Sequence, residues 1–223
     1  MNKVVGQILH RLIEEPTFEG FKIRKSDECL IKKSKEGWQQ ISLNDHFQSI
    51  DLSNHRLALQ IRPLIVVRYD ILSKWFEKHS FKRIKTQRLN GQISSAVGNF
   101  GEVEYLFYNE GDCFEEQYQK IRDDIISESN VFFEKYSSME KMYINDVLPK
   151  INGEEQFQKY GGVDWIFEYL KLTWIVDREN YLKLKGLILK HIDFRMFGRT
   201  FPEPNMAKYY DRLEEIFTDL EQN

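Results

Sequence analysis

Cysteine is scarce: the chain holds only Cys29 and Cys113, in unlike contexts and with no CxxC spacing. That excludes a disulfide framework and a thiolate clamp for zinc, and it predicts free thiols in a reducing cytoplasm. Long apolar runs are missing as well. No stretch approaches the roughly 18 uncharged apolar residues that a membrane span needs, and the opening Met1-Asn2-Lys3-Val4-Val5-Gly6 has no signal-like core. The expectation is a cytoplasmic protein that makes no use of a membrane.

The catalytic fingerprints are absent in turn. There is no GxGxxG or GxxxxGKS/T loop to cradle phosphates, no GxSxG elbow to activate a serine and no HExxH helix to hold zinc. No cofactor is therefore expected and no catalytic residue is nominated. The five histidines, His10, His46, His55, His79 and His191, are scattered. Their nearest approach to a ligand set is Asp45, His46, Asp51 and His55, in a polar stretch read as a loop, whose spacing matches no metal pattern. Gly161-Gly162-Val163-Asp164 reads as a turn and helix start, where Asp164 favours the helix dipole and would repel an anion. Carboxylate pairs such as Asp123-Asp124 and Glu154-Glu155 fall on surfaces expected to be solvated, where a general acid would lack the burial that raises its pKa.

What is present is ample apolar material and an uneven charge. Hydrophobic residues make up 41% of 223 residues, with 16 Phe, 11 Tyr and 4 Trp, enough to bury a core. The net charge of -3 argues against a dedicated nucleic-acid binder. It conceals a polarity along the chain. Residues 1–100 carry 17 Lys+Arg against 10 Asp+Glu, a net of +7, and residues 101–223 carry 15 against 25, a net of -10. Lys22, Arg24, Lys25, Lys32, Lys33 and Lys35 gather on one hairpin and Lys82, Arg83, Lys85 and Arg88 precede another. Such lysines protect a sheet edge, or, with Trp38 nearby to stack a base, contact phosphates. Asp112, Glu115, Glu116, Asp123, Asp124 and Glu128 line one long helix that could lie against the basic sheet.

Periodicity then gives an α+β fold, with a mostly antiparallel sheet in the first half packed against helices and a helical second half. Val4, Val5, Ile8, Leu9, Leu12 and Ile13 predict a helix over 3–15 that Pro16 ends. Residues 21–25 and 29–33 read as a hairpin and 38–44 as a third strand. Leu57, Leu59, Ile61, Ile65, Val67 and Tyr69 alternate along one long strand, in which Pro63 implies an edge or a bulge. Asp70 can cap a short helix to His79. Residues 92–97 and 102–108 flank Gly98-Asn99-Phe100-Gly101 as a second hairpin. From Asp112 onward the period is helical: a helix of about six turns, one capped by Ser138 and ending before Pro149, an all-round apolar helix over 163–176, one over 181–192, and a last one using Tyr209, Tyr210, Leu213, Ile216, Phe217 and Leu220. The domain reading is 1–150 as a sheet domain with its long helix, and 151–223 as a helical subdomain on the same core.

This order of elements, with Gly20-Phe21-Lys22-Ile23-Arg24 opening a hairpin and Gln39-Gln40-Ile41 in the next strand, resembles a group of bacterial domains of unknown function. Relatives of that group look like immunity proteins encoded beside polymorphic toxins. The resemblance covers residues 1–150 and implies a non-enzymatic protein with a protein partner, bound through acidic helices or an exposed sheet face; it supplies no catalytic residues. The alternative is an enzyme or small-ligand binder whose site lies between sheet and helices, where Trp38, His46, Arg62 and Arg68 converge. In that reading Arg62 and Arg68 share a strand face by parity.

Overall fold

The computed structural model describes residues 1–51, 53, 55–81, 91–98, 103–108, 114–157, 164–197 and 204–222. The fold is α+β, with its strands mainly in the N-terminal half and its helices in the C-terminal half. The chain forms two compact units, each discontinuous in sequence: residues 1–69 with 93–134, and 70–92 with 135–223.

The first unit is built on two antiparallel sheets, one of five strands and one of three. Helix α1, Lys3–Leu12, starts where the Asn2 side chain accepts from the Val4 amide and ends before Pro16, whose fixed φ opens a 3-10 turn. Strands β1 (Lys22–Arg24) and β2 (Cys29–Lys33) form the expected hairpin, and β3 (Gly37–Ser42) pairs with β2. At Gly37 the approach is closest: a Cβ there would lie 1.8 Å from the Arg68 carbonyl oxygen.

The long strand expected over 57–69 is broken at Pro63 into β5 (Arg56–Ile61) and β6 (Leu64–Tyr69), and the halves belong to different sheets. Both flanking segments bend with it. On one side, β3 pairs with β6, and β4 (His46–Asp51) pairs with β5. On the other, β7 (Ile93–Ala96) pairs with β6, and β8 (Tyr105–Tyr108) pairs with β5. The Arg62 amide donates to the Asp45 carbonyl and the Val97 amide to the Pro63 carbonyl, so bonds cross the bend on both sides. Two expectations are corrected here. The polar stretch at 46–51 is a strand, and β7 and β8 are not paired with each other but with different strands, β6 and β5. Gly98 does take the positive φ expected of it, +79°.

Helix α3, Phe114–Lys135, has the predicted length and lays Tyr118, Ile121 and Ile125 on a core shared with Ile8, Leu9 and Leu12 of α1 and with Leu30, Ile41, Ile61, Ile65 and Phe107 of the strands. Its acidic residues find partners inside this unit. Arg11 of α1 grips Glu115 by two bonds of 2.7 and 2.8 Å, Tyr105 donates to Asp124, and the Gly98 amide donates to Glu128. The acidic helix thus belongs to the strand-bearing unit. That unit spans 13 Lys+Arg and 18 Asp+Glu, a net of -5, and the other spans 19 and 17, a net of +2, so folding redistributes the polarity seen along the chain.

The second unit is helical. Helix α2 (Asp70–Glu77) carries Asp70 in its first turn, paired with Lys74. Ser138 caps α4 (Met139–Met142) by accepting from the Lys141 amide. The helix does not stop before Pro149 as expected: a π turn over Tyr143–Val147 carries it into α5 (Leu148–Asn152), the wider turn accommodating a residue with no amide to give. Helix α6 (Asp164–Val176) is buried at every position from Ile166 to Thr173, the pattern its all-round apolarity predicts. Helix α7 runs over Tyr181–Phe197, and the last expected helix is two, α8 (Pro204–Tyr210) and α9 (Leu213–Gln222). Phe76, Phe167 and Tyr209 meet with ring centroids 5.1 to 5.7 Å apart. No helix among the described residues is long and apolar enough to cross a membrane.

Candidate functional site

The four residues expected to converge fall into two pairs. Trp38 and Arg68 are direct cross-strand neighbours on β3 and β6, in a row completed by Lys33 of β2. Trp38 is half-buried and Arg68 is buried. His46 and Arg62 lie at the other end, where β4 begins and β5 ends: His46 faces Ile61, and Arg62 follows it. Four residue steps along β6 lead from Leu64 to Arg68, about 13 Å of extended chain, so the bend at Pro63 parts the pairs. Arg62 and Arg68 keep the same parity, but Arg62 follows the end of β5 whereas Arg68 lies within β6 of the other sheet.

His46 has a specific partner. Its Nε2 lies 2.7 Å from Glu28 Oε2, and the other oxygen, Oε1, accepts from the Asn2 amide at 2.6 Å. Glu28 holds a left-handed backbone, φ +48° and ψ +52°, at the turn between β1 and β2. Burial raises its carboxyl pKa, but the bonds from Asn2 and His46 outweigh burial and hold it below the usual range. This cluster ties α1, the first hairpin and β4 together, which makes His46 a structural anchor. Of the other residues considered for a metal, Asp51 lies at the far end of β4, roughly 16 Å from His46. Its carboxylate accepts from Ser53 and Tyr108. Among the described residues no three His, Cys, Asp or Glu side chains gather closely enough to hold a metal ion.

The three-stranded sheet exposes apolar side chains as neighbours. Ile50 of β4 and Leu57 of β5 are directly opposite, 59% and 50% exposed. On the opposite face Phe47 is 37% exposed, and the Arg62 guanidinium lies 4.7 Å from its ring centroid. Arg56 stands likewise over Tyr108 at 4.7 Å. β4 is the outermost strand of this sheet, with β5 as its one neighbour. An outer strand edge that no other strand pairs with among the described residues, half-exposed aliphatics and an arginine over a ring together suit contact with another polypeptide.

Other polar clusters serve the second unit's own packing. Asp219 of α9 accepts from Trp75 Nε1 at 2.8 Å, Lys78 Nζ at 2.6 Å and His79 Nε2 at 2.9 Å. Burial opposes its ionisation, yet the bonds from His79, Lys78 and Trp75 win and hold its carboxyl at about 2. Ser73 donates to the buried Glu168 and accepts from Gln92. Burial pushes the Cys29 thiol up to about 11, which leaves it unreactive. The Gly161-Gly162 turn, Cys113 and the basic run Lys82 to Arg88 lie outside the described residues.

Sequence reading missed Phe47, Ile50 and Leu57 as a group. Phe47-Gln48-Ser49-Ile50 offers no alternation, because its two apolar residues are three apart and fall on opposite faces, so no apolar stripe marks the strand. No protein family, curated protein or solved structure matches this chain.

Proposed function

We propose that the chain is a bacterial cytoplasmic interaction protein of the immunity type, which acts by binding another protein and catalyses no reaction. The observation that carries this reading is the directly opposed, half-exposed pair Ile50 and Leu57 on one face of an open-edged sheet, with the exposed Phe47 on the other face of the same strand. Large exposed side chains scattered singly need no explanation, whereas Ile50 and Leu57 are neighbours, and Phe47 with the Arg62 guanidinium over its ring offers a second contact at the same edge. The resemblance of residues 1–150 to immunity-type domains points to the same kind of activity.

The test is an affinity pull-down from the native host, at low and high salt, with the wild-type chain and with the Phe47→Glu, Ile50→Lys, Leu57→Lys triple variant. A stoichiometric protein recovered by the wild type and lost by the variant is the expected result. Recovery of no stoichiometric protein by the wild type at either salt refutes the reading.

A further inference from the structure

We propose that the open edge of β4 accepts an extended segment of a partner protein as an added strand, and that this segment carries a carboxylate and an aliphatic side chain three positions apart. The proposal rests on the interaction reading above and specifies its surface and its partner.

The backbone supplies the first argument. β4 is a regular six-residue strand that, among the described residues, pairs with β5 alone, so the amides and carbonyls on its outer side meet no described strand. Edges of this kind are ordinarily blunted. β1, one edge of the other sheet, is three residues long, begins with the exposed Lys22 and is followed by the exposed Lys25, the usual protection against a foreign strand, and β7, its other edge, has only four residues. β4 contains no lysine, no proline and no left-handed residue.

Side chains supply the second. An added strand places residues opposite Phe47 and opposite Ile50, on opposite faces of the extended sheet because three positions separate them. An aliphatic residue opposite Ile50 would cover the exposed Ile50 and Leu57 pair. A carboxylate opposite Phe47 would meet Arg62, which follows β5 and whose guanidinium carbon lies 4.7 Å from the Phe47 ring centroid. A guanidinium offers five N–H donors in a planar fork, so it can engage a carboxylate in addition to contacts it already makes, and the ring beneath it holds the plane in place. The far end of β4 disfavours a second acid, because Asp51 stands there. A second copy of β4 is a poor occupant: its one acid, Asp51, has Gln48 and not an aliphatic residue three positions away.

The test uses the full chain, labelled for backbone NMR, and two synthetic peptides of threonines that differ at one position. Both carry isoleucine, one with glutamate and the other with lysine three positions from it. The expected result is that the glutamate peptide shifts the β4 amides and binds ~10-fold or more tightly than the lysine peptide, as loss of a charge-assisted bond requires. Arg62→Glu should reverse that preference and Ile50→Lys should abolish binding, with unchanged circular dichroism in both because these side chains are exposed. Equal binding of the peptides, no β4 shift at about 1 mM peptide, shifts elsewhere only, or β4 shifts that grow with protein concentration alone would each overturn the proposal. A host protein that is captured equally by the wild type and by Ile50→Lys overturns the β4 site while leaving the interaction reading standing.

Discussion

Replacing Asp219 by alanine should cost the second unit about 3 kcal/mol, a figure reached by one argument, a count of stranded donors, and bounded from below by another, proton linkage. The first counts what the change strands. Trp75 Nε1 and the His79 ring nitrogen lose their acceptor, and their residues are 8% and 4% exposed. A buried donor left without a partner costs about 1–3 kcal/mol, and the half-exposed Lys78 adds about 0–1 kcal/mol. The second comes from proton linkage. The Asp219 carboxyl titrates at about 2 in the fold against an ordinary value of 3.8. A depressed carboxyl contributes stability that is fully present above 3.8 and is lost as pH falls through about 2. The difference corresponds to about 2 kcal/mol. Protonation removes the charge but leaves an oxygen to accept, so this smaller figure is the right order relative to truncation. Urea unfolding followed by circular dichroism, from pH 7 down to pH 2, measures both. Asp219→Ala should lower stability at pH 7 by about 3 kcal/mol and should flatten the acid limb below pH 4 by about 2 kcal/mol relative to wild type. A variant within about 0.5 kcal/mol of wild type, the range of an ordinary surface change, would refute the reasoning.

Two further outcomes follow from backbone geometry. Gly37→Ala should abolish soluble folded protein, because its Cβ would sit 1.8 Å from a backbone oxygen that cannot move without breaking the β3–β6 pairing, whereas Gly153→Ala, with φ +80° and nothing within 4 Å, should cost only about 1 kcal/mol. Similar melting temperatures for the two would contradict this. Glu28→Ala should destabilise by about 1–3 kcal/mol through loss of the bonds to Asn2 and His46, and Glu28→Gly should be about 1 kcal/mol more stable than Glu28→Ala because glycine relieves the left-handed backbone. Thermal melts that place alanine above glycine would show that the strain is not there.

Much of the fold was legible because helical periodicity is a local property. Val5, Ile8, Leu9 and Leu12 locate α1, and Tyr118, Ile121 and Ile125 locate α3, whatever lies around them. Pro63 was legible as an interruption but not in its consequence. Lacking an amide, it cannot join a continuous ladder, yet whether a chain bulges or turns into a second sheet depends on its neighbours. Here β3 and β7 pair with β6, while β4 and β8 pair with β5, so on both sides one strand goes to each half of the broken strand. That is why the Gly98 turn suggested a hairpin that does not form: pairing with the broken central strand won over pairing across the loop. The same bend decides the site. It carries Arg68 into the five-stranded sheet and leaves Arg62 just past the end of β5, over Phe47. Strand parity could not show this separation, because parity survives the break. The β4 edge was hidden for the opposite reason. A strand that faces solvent on both sides has no apolar stripe to betray it, and the exposure of Phe47 and Ile50 that erased the signal is the property that lets them meet another chain.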